Sequence, residues 1–265
     1  MKLFVLLYAD DTIILAENPT DLQEALNAAH SYCSLWKLKI NIDKTKIIRF
    51  SNRRALNNPP IFWINNERVE VVDNYTYLGT IFAYNGKFKD AITKQMLQAQ
   101  RALFAIKNKK ETYNLPVDIV FDLFDKMIMP ILLYGSEIWG FENVDSLEIF
   151  YRKFLKYVLK LNNQTTNCMV YGEAGKMPLS ETIKSKMICI LHRISKGSNN
   201  KVASKLLHLI RKLYEQNLYS SPWLKKIESI LSSCGMRNVW LNPELFNPKW
   251  LKKSIDLKLS DMYFG

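Results

Sequence analysis

Two adjacent carboxylates, Asp10 and Asp11, interrupt an otherwise apolar stretch, with Leu3 to Leu7 on one side and Ile13 to Leu15 on the other. Strand-forming residues flanking a short polar break predict a β-hairpin whose turn carries the acids. Along a strand, neighbouring side chains point to opposite faces, but a turn breaks that alternation and lets both carboxylates share one rim. Like charges held that close repel unless a cation offsets them, and hard oxygen donors on a rigid turn suit Mg²⁺. An ordinary Asp-Asp turn is the plain alternative, and the pair by itself leaves both readings open.

Beyond the hairpin, Asn18-Pro19-Thr20-Asp21 supplies cap residues for a helix to about Lys37, with Leu22, Ala25, Leu26, Ala29 and Cys33 on one face and Trp36 closing it. A lysine-rich turn, Leu38 to Lys46, leads to a strand at Ile47 to Phe50, and Ser51 to Pro60 reads as a polar loop in which Arg53 and Arg54 are exposed. A second hairpin comes next, Ile61 to Ile64 and Arg68 to Val72 about Asn65-Asn66. Tyr75 to Phe82 reads as one further strand, and Asn85-Gly86 as a turn. From Phe88 to Lys110, the positions Ile92, Met96, Ala99, Leu103 and Ile106 make one apolar stripe, and lysines and Arg101 fill much of the rest. Pro116 opens another amphipathic run, and Pro130 to Gly140 is a compact apolar segment holding one acid, Glu137. Four more helical patterns complete the chain: one through Phe150, Phe154, Val158 and Leu161, then Leu179 to Ser195, Val202 to Leu218 and Pro222 to Cys234, with turns at Asn199-Asn200 and Ser220-Ser221.

A chain of 265 residues with 48% hydrophobic content can bury one large core or two small ones. Its 37 basic residues outweigh 25 acidic ones, a net charge of +12 that favours a polyanionic partner. The four cysteines lie far apart and read as reduced intracellular thiols. His30 with Cys33, and Cys189 with His192, have one-turn spacing, yet each lacks a second pair at zinc spacing. The apolar run before Asp10 is too short for a secretory signal, and Met127 to Trp139 is broken by Pro130 and Glu137, so no membrane span is expected. The expectation is a soluble, intracellular protein, nuclear or cytoplasmic.

The string Tyr8-Ala9-Asp10-Asp11 between strands resembles the metal-binding hairpin in the palm of reverse transcriptases, particularly those of non-LTR (LINE-type) retrotransposons. The resemblance implies that Asp10 is a direct ligand of catalytic Mg²⁺ or Mn²⁺, that Asp11 is a ligand or a support, and that Tyr8 and Ala9 border the nucleotide. Trp36-x-Leu38-Lys39-Ile40-Asn41 followed by Asp43-Lys44-Thr45-Lys46 is similar to the next motif of the family, which would bring Lys44 to the triphosphate of the incoming dNTP. Lys37 stands where that family commonly has glycine. Tyr77-Leu78-Gly79 resembles the primer grip, and the helix bearing Lys94, Arg101 and Lys107 resembles the first thumb helix, which tracks phosphates. Leu133 to Gly140, Tyr171-Gly172-Glu173 and Ser221 to Leu224 resemble segments that lie after the polymerase in LINE-type proteins.

The fold so implied is α+β: a partial right-hand palm of antiparallel hairpins with a helix at 1–86, thumb-like helices at 87–140, and a helical tail at 141–265. The implied activity is RNA-directed DNA polymerisation on an RNA template and DNA primer with dNTPs and no membrane. In the family, the fingers and a first catalytic aspartate lie upstream of this hairpin. The chain is therefore expected to be a fragment, inactive alone, with an open sheet edge and a less stable α+β half, and to need the upstream polypeptide of the same element. A catalytically inert nucleic-acid-binding remnant and a host scaffold protein are the alternatives.

Overall fold

Every strand among the described residues precedes Tyr84, and helices dominate the rest of the chain. The computed structural model describes residues 5–51, 60–197 and 201–264, so the expectations for Leu3, Arg53, Arg54 and the Asn199-Asn200 turn lie outside the described residues. Two compact units result, Met1–Asp90 and Ala91–Gly265, giving a mixed α+β chain with small sheets.

In the first unit, β1 (Val5–Tyr8) and β2 (Asp11–Ile14) form a two-stranded antiparallel hairpin. Helix α1 (Pro19–Leu35) starts on Asn18, whose side chain accepts from the Asp21 amide at 2.9 Å, as the cap sequence predicts. A three-stranded sheet has the order β3 (Lys46–Ile47), β5 (Glu67–Val71), β4 (Phe62–Ile64), with β3 parallel and β4 antiparallel to β5. Alternation along β4 and β5 turns Phe62, Ile64 and Val69 inward, where Leu26 of α1 and Ile47 meet them. The edge of β4 is covered in an unusual way: the Gln23 amide of α1 donates to the Trp63 carbonyl at 2.7 Å and accepts from the Trp63 amide at 3.0 Å. One side chain thereby satisfies both backbone groups that would otherwise be open to another strand.

Three expectations need correction in this unit. Tyr75 to Phe82 is not one strand but a hairpin, β6 (Asn74–Tyr77) and β7 (Thr80–Ala83), because Leu78 and Gly79 both take positive φ, 45° and 80°, and reverse the chain. The strand expected at Ile47 to Phe50 is two residues long, Lys46–Ile47, since β5 pairs only with that pair. Trp36 does not close the core face of α1: the helix ends at Leu35, and the ring lies 63% exposed against Tyr32.

The second unit opens with α2 (Lys89–Tyr113), which buries Ile92, Ala99, Leu103 and Ile106 as the stripe predicts. Helix α3 (Val117–Leu123) widens into a π-helical turn, Phe124–Ile128, just before Pro130, whose missing N–H cannot serve the Lys126 carbonyl. Phe124 stacks there on Phe154, ring centres 4.0 Å apart, and on Tyr151 of α6 (Asp145–Leu159). Two short helices lie between the π-turn and α6, namely α4 (Met129–Leu132) and α5 (Ser136–Trp139). Then come α7 (Asn167–Ala174), α8 (Leu179–Lys196), α9 (Lys201–Glu215), α10 (Pro222–Ser233), α11 (Arg237–Leu241) and α12 (Pro248–Phe264). Helix α8 is the centre of this unit, touching α5, α6, α9, α10 and α12.

The segment expected to be core is so only on one face: Leu132, Leu133, Ser136 and Trp139 are buried, whereas Tyr134 and Ile138 are exposed. Trp139 is fully buried and donates to the Tyr134 carbonyl at 2.9 Å, and the Trp223 indole donates to the Glu137 carbonyl at 2.8 Å. Two of the recognised tail segments thus meet through one hydrogen bond. A Cβ at Gly140 would press into Ile183 and the Ser136 carbonyl and lie 2.9 Å from Met187 Sδ, so only glycine lets α5 approach α8 this closely. Gly140→Ala should therefore lower stability by about 2–3 kcal/mol, read as a fall in the urea midpoint of the helical unit at unchanged slope.

The hairpin β1–β2 contrasts with this density: the side chains of β1 are all exposed, and β2 meets the rest of the unit through α1 and through Ile14 on the core. Hydrogen exchange should show the β1 and β2 amides exchanging well before those of α8; equal protection would contradict the expected weakness of the α+β half.

Candidate active site

The first hairpin turns through two residues, Ala9 and Asp10, with Tyr8 and Asp11 facing each other across its mouth. Ala9 holds a positive φ of 52°, a position where glycine is the ordinary choice. Asp10 occupies the second turn position and Asp11 opens β2, so both carboxylates stand at the tip, exposed. Among the described residues neither carboxylate takes part in a side-chain hydrogen bond or ion pair. Two uncommitted oxygen pairs on a short turn fit a hard divalent cation, which binds through one or two protein carboxylates plus substrate phosphates. Among the described residues no group of three or more His, Cys, Asp or Glu side chains is placed to hold a metal ion, so Asp10 and Asp11 form at most a two-carboxylate contribution.

Lys44 sits in a tight turn built by Asn41. The Asn41 side chain accepts from the Lys44 amide at 3.1 Å, and its carbonyl accepts from the Thr45 amide at 3.0 Å and hydroxyl at 2.8 Å. Next to it, Lys46 pairs with Glu70 at 2.8 Å and pins β3 on β5. Lys44 itself is exposed. The turn comes directly after α1, and Lys37 there has φ 56°. The Leu38 amide bonds to the Cys33 carbonyl at 2.8 Å and the Lys37 amide to the Ser34 carbonyl at 3.1 Å, the double closure of a left-handed helix end that glycine usually makes. Lysine therefore adopts the glycine conformation at that position and the turn is kept.

The hairpin β6–β7 reverses at Leu78-Gly79, and Tyr77 pairs with Thr80 across it. From β6, the Tyr75 hydroxyl donates to the Lys44 carbonyl at 3.0 Å. This bond joins the lysine turn to the Tyr77–Gly79 hairpin, so two of the three expected sites are brought together. Among the described residues, no hydrogen bond or ion pair links Asp10 or Asp11 to either. Lys94, Arg101 and Lys107 belong to α2 in the second unit: Arg101 is exposed, Lys94 is half-buried and engaged, and the Lys107 ammonium lies over the Tyr157 ring.

Residues 1–82 match the family model for the reverse transcriptase, an RNA-dependent DNA polymerase. A transposon-derived protein of Caenorhabditis elegans is 31% identical over 136 residues, 51% of this chain and 48% of its own length. The RNA-directed DNA polymerase from the mobile element jockey of Drosophila melanogaster is 25% identical over 166 residues, 57% of this chain and 17% of that one. Over these stretches the chain is similar to a reverse transcriptase and to transposon-derived proteins. It spans about half the length of the first of these relatives and less of the second. No solved structure matches significantly. No helix among the described residues is long and apolar enough to cross a membrane.

The sequence pattern gave no sign of a buried polar network in the helical tail. Glu148 of α6 accepts from the Tyr171 hydroxyl and from the Ser180 amide at the start of α8, with Arg152 4.0 Å away. Burial first, and then the Glu148 carboxylate, push the Tyr171 pKa far above the ordinary phenol value, so Tyr171 stays a donor. Tyr171 was visible as part of a tail segment, but its partner lies 23 positions away and carries no local signal. The tight end of α1 gives a direct test of the site's scaffold: Lys37→Gly should raise stability by about 0.5–1 kcal/mol, the left-handed penalty relieved less the extra freedom of glycine in the unfolded chain, read by thermal and urea unfolding.

Proposed function

We propose that this chain carries the metal-binding, nucleotide-binding and primer-holding elements of an RNA-directed DNA polymerase. The observation that carries the reading is the two-residue turn at Ala9-Asp10, which presents two exposed, uncommitted carboxylates inside the segment that matches the reverse-transcriptase family. In the proposed reaction the primer 3′-oxygen attacks the α-phosphorus of a dNTP, forming a new P–O bond while the bond to pyrophosphate breaks. Asp10 and Asp11 would hold Mg²⁺ or Mn²⁺, which when bound offsets charge on the attacking and leaving oxygens. Lys44 places its ammonium at the leaving pyrophosphate, where it stabilises charge or gives a proton. Tyr77, Leu78 and Gly79 hold the primer end, with Gly79 admitting close approach of the strand, and Tyr8 and Ala9 border the nucleotide.

The domain reading is part of the same proposal: a partial palm at 1–86, thumb-like helices at 87–140 whose Lys94, Arg101 and Lys107 track phosphates, and a helical tail at 141–265. A two-metal site needs more carboxylate than one turn supplies. We propose that a further acid comes from polypeptide outside the described residues, and that the chain alone binds template and primer without extending them. Primer extension with the purified chain, Mg²⁺, dNTPs and a DNA primer on an RNA template, beside Asp10→Asn, tests both parts. The expected result is no extension by the chain alone, and extension on adding the upstream polypeptide of a related element that Asp10→Asn lowers by at least about a thousandfold. Extension by the chain alone that Asp10→Asn abolishes would overturn the need for a further acid. Extension indifferent to Asp10→Asn would overturn the metal assignment.

A further inference from the structure

Two ammonium groups gather about one ring where side chains of α2 and α6 meet. Lys107 Nζ lies 4.3 Å and Lys110 Nζ 4.4 Å from the centre of the Tyr157 ring. Lys160, which ends α6 in the left-handed conformation, is near enough to Lys110 to repel it. The ring is fixed in place, because the Tyr157 hydroxyl donates to Glu111 at 3.1 Å. Neighbouring Lys156 is committed to the Asn163 carbonyl at 2.6 Å and takes no part.

The charges do not balance. One carboxylate, Glu111, acts on Lys110 against two basic neighbours, Lys107 and Lys160. The Lys110 pKa is lowered first by burial and then by repulsion from Lys160, with Lys107 adding to it and Glu111 opposing it. The face of an aromatic ring attracts a cation by about 0.5–1 kcal/mol at an accessible site, which holds each ammonium but cancels no charge. A cluster held together by a neutral ring while its members repel one another is short of an anion. The lysines offer mobile point charges with three donors each, which suit the several oxygens of a phosphate, whereas a forked guanidinium would suit a planar carboxylate better.

We propose that Lys107 and Lys110, set about Tyr157, form with Lys160 beside Lys110 a phosphate-binding site for the backbone of a nucleic-acid strand. The site extends the binding surface of α2 onto α6, where no sequence motif marked it. It rests on the reading of the chain as one that handles nucleic acid, yet its readout is binding alone, so a chain that never extends a primer still tests it.

The test is fluorescence anisotropy of a labelled RNA template annealed to a DNA primer, titrated with the full chain across a KCl series. The triple variant Lys107→Gln, Lys110→Gln, Lys160→Gln should lose at least about tenfold in affinity at low salt, and the slope of log K against log salt should flatten by about 2.7, the counterions of three phosphate contacts on a duplex. A control pair on α10, Lys225→Gln with Lys226→Gln, should change affinity by less than about twofold, since neither lysine belongs to the cluster and only the screened general field is reduced. Lys160→Gln by itself, at an exposed position, should flatten the slope by about 0.9 and keeps the test decisive if the triple variant folds poorly. An unchanged slope in the lysine variants, or an equal loss in the control pair, overturns the site. Calorimetric binding of free pyrophosphate that the triple variant abolishes, with the template-primer slope unchanged, overturns the nucleic-acid assignment in favour of a free polyphosphate.

Discussion

Everything chemical in the first unit hangs on five buried side chains, Leu26, Ile47, Phe62, Ile64 and Val69. They clamp α1 to the sheet, and the sheet in turn carries the lysine turn on β3. Partly buried Ile14, Leu22, Ile40, Ile42 and Val71 widen the contact, and Ile14 brings the end of the acidic hairpin into it. Such a core is small, and each fully buried aliphatic side chain contributes roughly 1.5–3 kcal/mol before conformational entropy is set against it. The hairpin strand farther from α1 gains nothing from it. Polar contacts do the remaining positioning: Gln23 on the β4 edge, Lys46 on Glu70 and Tyr75 on the Lys44 carbonyl. These fix register and turn geometry where there is too little apolar surface to do so.

The three hairpins of this unit show where strain has been accepted. The β4–β5 turn is Asn65-Asn66, both at positive φ, a conformation asparagine tolerates well. The acidic hairpin places alanine, and the β6–β7 hairpin leucine, at the equivalent first turn position, at φ 52° and 45°. A non-glycine residue in that region costs about 1–2 kcal/mol. The strain falls on the two turns proposed to meet metal and primer, and the turn with no proposed chemistry has the relaxed residue. That placement fits the proposed roles of the two turns, since strained backbone positions cluster at functional sites.

The sequence showed clearly whatever depends on near neighbours. The Asp10-Asp11 hairpin, the Asn18 cap, the α2 stripe and the helices starting at Leu179 and Pro222 all arise from local periodicity and cap chemistry, and the structure has them. The β6–β7 reversal was missed because leucine is a poor turn residue and Tyr75 to Phe82 alternates as a strand would; only Gly79 hinted at it. Trp36 was misplaced because the helical stripe was carried to about Lys37, whereas the helix ends at Leu35 and Trp36 is its cap, just before the left-handed Lys37. Helix α12 was missed outright, although Asn247 before Pro248 caps it, accepting from the Lys249 and Trp250 amides at 3.0 and 3.2 Å, and Leu251, Ile255 and Leu259 recur every four residues. The contacts that organise the tail, Glu148 with Tyr171 and Trp223 with Glu137, span 23 and 86 positions and no single-sequence pattern encodes them.

The two units also divide the polar chemistry differently. In the first, the Asp10 and Asp11 carboxylates and the Lys44 ammonium are exposed at turns and left without side-chain partners among the described residues, as the proposed role toward a mobile substrate requires. In the second, acids are consumed internally: Glu148 by Tyr171 and Ser180, Asp125 by Lys176 at 2.6 Å, and Glu181 by Lys184. With 37 basic residues against 25 acidic ones, the chain keeps basic groups beyond those that its acids can pair, a net charge of +12. Cations in that position gain most from a partner that brings many fixed negative charges at once, because each contact releases counterions already condensed on the polyanion. The arrangement favours a nucleic-acid strand over a small anion, which could answer one cluster but not the field.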